Sequence, residues 1–87
     1  MKTFTVILYT DPGHGWAKVR KSVLANLGIA ELISPYSYQR GDYAYLEEDC
    51  DLPLLCKRLL ENNTNAKFVP RHTDKESRIR SYEGYRP

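Results

Sequence analysis

Cysteine is scarce in this chain. Cys50 and Cys56 are its only two, and they form neither a CxxC pair nor the framework of a disulfide-stapled scaffold. Both are expected as free thiols in a reducing compartment. Long apolar runs are also missing: none approaches the roughly 20 residues that span a bilayer, so a membrane partner is not expected. The opening MKTFTVILYT has a lysine before an apolar run, as a signal peptide does. Threonines alternate with Phe4 and Val6, however, and Asp11-Pro12 follows without a small-residue cleavage site. A strand is the better reading, and the expected location is the cytoplasm.

Known chemical motifs are missing too. Asp11-Pro12-Gly13-His14-Gly15-Trp16 has the glycines of a phosphate-cradling loop but leads into a strand, where such loops lead into a helix N-terminus. Glu47, Glu48, Asp49 and Asp51 lack calcium-loop spacing. Nothing local pairs Cys50 with His14 or His72 as nucleophile and base. The chain is therefore expected to be non-enzymatic, with no catalytic residue, metal or cofactor.

What is present fits one globular domain of 87 residues. Residues 2–10 alternate and then turn continuously apolar, which predicts an interior strand. Trp16-Ala17-Lys18-Val19-Arg20 alternates large apolar with basic residues, as a second strand returning along the first would. Ser22 is a candidate N-cap for a short helix over 23–27, with Gly28 as its stop. Gly41-Asp42 suits a two-residue II′ turn. That register pairs Arg40 with Tyr43, Tyr38 with Tyr45 and Tyr36 with Glu47, and puts all six on one side of the hairpin.

Asp51 is the expected N-cap of the next helix, with Pro53 in its first turn. Leu52, Leu55, Cys56, Leu59 and Leu60 then make an amphipathic stripe. Lys67-Phe68-Val69 is a short last strand, which Pro70 places at an edge or a strand end. The expected fold is α+β, in the order β-β-α-β-β-α-β: a mainly antiparallel twisted sheet with two helices on one face. Residues 1–70 form the domain. Residues 71–87 form a basic and aromatic tail docked on it.

Charge is unevenly spread. Residues 1–30 carry four basic side chains against one acidic, 31–65 three against seven, and 66–87 six against three. This order allows one face to meet a basic partner and another a phosphate backbone. Three candidate contact sets follow. Glu47, Glu48 and Asp49 form an acidic patch. Tyr36, Tyr38, Arg40, Tyr43 and Tyr45 either pack their rings on the leucine helix or offer a stacking platform. Arg78 and Arg80 belong to a tail that either contacts phosphates or docks on the sheet through Ile79 and Tyr82. The triplet Arg40-Gly41-Asp42 also spells an adhesion tripeptide, but turn chemistry explains it better.

With DPGHGWAKV, SYQRGDYAYLEEDCD, KFVPRHTD and SRIRSYE, the chain resembles small proteins of unassigned function carried by bacteriophages and mobile elements. The resemblance covers nearly the whole chain. It implies an anti-CRISPR type of inhibitor, which binds a host multi-subunit or ribonucleoprotein defence complex and blocks engagement of target or guide nucleic acid. The alternative is a small nucleic-acid-binding module that uses the basic ends and the tyrosines.

Overall fold

A computed structural model describes residues 1–87. Strand β1 (Lys2–Thr10) turns back through residues 11–14 into β2 (Gly15–Arg20). Helix α1 (Lys21–Asn26) follows directly, then a 3-10 turn at Ala30–Leu32. The hairpin β3 (Tyr38–Arg40) and β4 (Tyr43–Glu47) leads into α2 (Leu52–Glu61) and β5 (Thr64–His72). A 3-10 turn at Arg78–Ser81 precedes β6 (Glu83–Gly84). The protein is an α+β domain with one mixed sheet in the order β5-β1-β2-β4-β3-β6. Four strand pairings are antiparallel, and β1 with β5 is parallel.

Both helices cover one face of the sheet. Leu24 of α1 and Leu52, Leu55 and Leu59 of α2 pack with Val6, Ala17, Val19, Ala44 and Leu46. Each fully buried leucine contributes about 1.5–3 kcal/mol. The stop of α1 is a Schellman motif: Gly28, at φ +72°, donates to Ala25 O, and Ile29 N donates to Leu24 O. Ser22 is not the cap expected of it. It lies inside α1, which begins straight off β2, and Lys21 N donates to Asp42 O at 2.9 Å.

Asp51 stands at the N-cap of α2, yet its side chain caps nothing. Pro53, second in the helix, has no N–H to offer it. The carboxylate instead accepts from Ser34 N at 3.0 Å, Ser34 Oγ at 2.7 Å and Ser37 Oγ. Ser37 Oγ in turn accepts from Glu47 N at 2.9 Å. Asp51 thereby ties the loop before β3 to the start of α2.

The hairpin has the expected register, Arg40 opposite Tyr43 and Tyr38 opposite Tyr45, with φ +58° at Gly41. Tyr36 departs from it. It lies outside β3, in the turn whose Ser37 N donates to Ser34 O, and the residue is 72% exposed. The last strand before the C-terminal segment is longer than expected: β5 runs nine residues, through Pro70, and crosses the 70/71 boundary. An edge strand tolerates proline because one of its sides has no ladder partner.

Candidate nucleic-acid interface

Side chains alternate across a strand, so register decides which residues share the face opposite the helices. Ile7 pairs with Lys18, Lys18 with Tyr45, and Tyr45 with Tyr38. Arg20 pairs with Tyr43 and Tyr43 with Arg40, while Lys67 and Arg71 sit beside Thr5 and Tyr9. Five cations, Lys18, Arg20, Arg40, Lys67 and Arg71, thus project from one face. The hairpin tyrosines are on this side too. Their rings do not pack on the leucine helix, because Ala44 and Leu46 are the hairpin residues that face it.

Tyr43 lies between two of these cations: Lys18 Nζ is 4.2 Å and the Arg20 guanidinium 4.8 Å from its ring centroid. Tyr45 is buried, in edge contact with Tyr82 at 5.1 Å and tilted against Tyr9 at 6.4 Å. Burial, reinforced by the neighbouring phenols, pushes its hydroxyl pKa up. Tyr38 is half-buried against Trp16, and Trp16, Tyr45 and Ile79 centre a second core on this face.

The C-terminal segment crosses part of the same face. Thr73 N donates to Thr10 O at 3.0 Å, Ile79 inserts beside Trp16 and Tyr45, and β6 pairs with β3. Tyr85 passes to the helix side, where its hydroxyl donates to Ala30 O at 2.6 Å. Arg80 is fully engaged within the fold: it forks onto Asp11 and lies 5.3 Å over the Trp16 ring. Arg78 is exposed and has no ion-pair partner.

The acidic patch divides. Glu48 and Asp49 are exposed, whereas Glu47 is buried, with His14 Nδ1 3.5 Å from its carboxylate. A hydrogen bond to Glu47, some burial and nearby carboxylates push the Cys50 thiol pKa up, opposite to what a nucleophilic cysteine needs. No three His, Cys, Asp or Glu side chains converge as a metal-holding group, and no helix is long and apolar enough to cross a membrane.

Between the C-terminal ends of β1 and β5 and the segment that follows lies an open cleft of about 720 Å³. Tyr9, Tyr45, Tyr82 and Ile79 are the aromatic and apolar part of its lining. Lys18, Arg71, His72, Lys75 and Arg78 are interspersed with them, with Glu76 as the one carboxylate. Of this lining, sequence reasoning offered Tyr45 and Arg78 as contacts, and Ile79 and Tyr82 as tail residues that dock on the sheet. The alternation of Trp16, Lys18 and Arg20 already marked Lys18 as sharing a face with Trp16. No local signal brings Lys75 to it, because a chain turn after β5 does so.

No protein-family model, curated protein or solved structure matches this chain.

Proposed function

We propose that this protein is a non-enzymatic nucleic-acid-binding module that lays a phosphate backbone across the open face of its sheet. One observation carries the reading: Lys18, Arg20, Arg40, Lys67 and Arg71 project from a single face and none is held in an ion pair. Such a face repels itself until an anion arrives. Tyr43, half-exposed among these cations, offers a ring for base stacking, which favours a single strand over a duplex. The test is binding to single-stranded RNA, single-stranded DNA and duplex DNA across a salt series. Five phosphate contacts on a single strand give a slope of log K against log salt of about −3.5. Binding that is absent, or indifferent to salt, overturns the reading.

A second reading is a phage-type inhibitor of a host-defence complex, a CRISPR effector, acting in the host cytoplasm. The exposed Glu48 and Asp49, which suit a partner's basic groove, support it. Affinity capture from a CRISPR-bearing host, repeated after nuclease treatment, separates the two. A complex retained on intact protein but lost with Glu48→Lys and Asp49→Lys supports the inhibitor. Capture that disappears with nuclease supports the nucleic-acid module.

A further inference from the structure

We infer that the cleft beneath the C-terminal segment is a seat for a phosphomonoester carried on a nucleoside, either a phosphorylated strand end or a free nucleotide. This rests on reading the sheet face as a nucleic-acid surface, and it assigns a further task to the cleft, which shares Lys18 and Arg71 with that face and adds Lys75 and Arg78.

Lys18, Arg71, Lys75 and Arg78 line one concavity, and no carboxylate pairs with any of them. Glu76 is the only acidic residue in the lining. His72 is oriented from both sides, its Nδ1 2.8 Å from Thr10 Oγ1 and its Nε2 3.1 Å from Asp74 Oδ1. A phosphodiester carries a single charge, whereas a phosphomonoester carries about −1.5 to −2 at pH 7. Four unpaired cations around one space match the second better than the first.

The rest of the lining accounts for the nucleoside. Tyr9 and Tyr82, both half-buried in the lining, supply rings next to the cations, Arg71 standing beside Tyr9 across the β1–β5 pair, and a base has a π-face for such rings. The volume, about 720 Å³, lies within the range of small-ligand pockets. The cleft opens beyond the carboxyl ends of the parallel pair β1 and β5, where the chain leaves the sheet and passes over the opening. Its backbone is held there independently of any ligand, by Thr73 N on Thr10 O and Ser77 N on Asp11 Oδ2.

The experiment compares fluorescein-labelled oligothymidylates of one length that end in a 5′-phosphate, a 3′-phosphate or hydroxyls only, with AMP as competitor. In the unaltered protein one phosphorylated end should bind at least tenfold tighter than the hydroxyl strand. The double variant Lys75→Ser, Arg78→Ser should erase that difference and keep the hydroxyl strand's affinity. Lys67→Ser, outside the cleft, should weaken all strands alike. Direct binding of AMP, followed separately by titration calorimetry and lost in the double variant, would identify the free nucleotide as an occupant, even if no strand binds and the sheet-face reading fails. Equal affinity for all three strands, with AMP ineffective, overturns the cleft proposal and leaves the sheet-face reading standing. Absence of both strand and AMP binding overturns both.

Discussion

Arg80 grips Asp11 through two bonds, Nε to Oδ2 at 2.7 Å and Nη2 to Oδ1 at 2.9 Å. The Asp11 side chain has no exposed surface, and the same carboxylate also accepts from Gly13 N, His14 N and Ser77 N. One side chain thus shapes the β1–β2 turn and anchors the C-terminal segment across the tyrosine face. It joins residues 69 positions apart.

Asp11→Asn should loosen the C-terminal segment and flatten the acid limb of stability. The Arg80 guanidinium, then the backbone donors, hold the Asp11 carboxyl well below the usual carboxylate range, against the opposing effect of burial. The unfolded chain therefore takes up this proton first as pH falls through about 4. The contribution of Asp11 is complete above that pH and shrinks progressively below it. Urea melts from pH 6 to 2 should show a smaller pH dependence in the variant. An unchanged slope would remove Asp11 as the linked group. Faster amide exchange at residues 77–82 should accompany the change.

Asp51→Ala should cost more than the roughly 1 kcal/mol of a lost helix cap. It strands Ser34 N, Ser34 Oγ and Ser37 Oγ, and a buried polar group left unpaired costs about 1–3 kcal/mol. We expect roughly 2–4 kcal/mol in chemical denaturation. A loss near 1 would mean that only a cap had been removed.

The acidic run should separate into scaffold and surface. Glu47→Lys places a charge where the side chain is buried against His14 and should lower the melting temperature clearly. Glu48→Lys with Asp49→Lys, both exposed, should stay within about 0.5 kcal/mol of the parent. Equal stability of the single and the double variant would contradict the burial of Glu47.

Leu55→Ala opens a cavity between α2 and the sheet, at a side chain with no exposed surface. Such truncations cost about 2–5 kcal/mol. Leu60→Ala, on the exposed side of the same helix, should cost little. Guanidinium melts of the pair check which face of α2 carries the core.

Arg20→Ser and Lys67→Ser should each make the salt slope of single-strand binding shallower by about 0.7, the share of one phosphate contact. The Arg80→Ser slope should change only through loss of folded protein, since Asp11 occupies that guanidinium. Slopes unaffected by Arg20 and Lys67 would move the nucleic acid off the sheet face.

Local chemistry determined much of this molecule. Gly41-Asp42 sets the hairpin register because a two-residue turn leaves no other pairing, and the leucine spacing of α2 names the helix and Leu52, Leu55 and Leu59 of its buried face, while Leu60 of the same stripe is exposed. The alternation in β2 separates Trp16, Lys18 and Arg20 from Ala17 and Val19. Only the tertiary structure decided what those faces meet. Tyr38, Tyr43 and Tyr45 alternate in the same way whether the helices cover them or leave them open, and the apolar Ala44 and Leu46 resolve it by packing into the core on the helix side. The parallel pairing of β1 with β5, the Asp11–Arg80 fork and the cleft all join residues far apart in sequence. Their partners are chosen by how the whole chain packs, and no window along the sequence contains both halves of the contact.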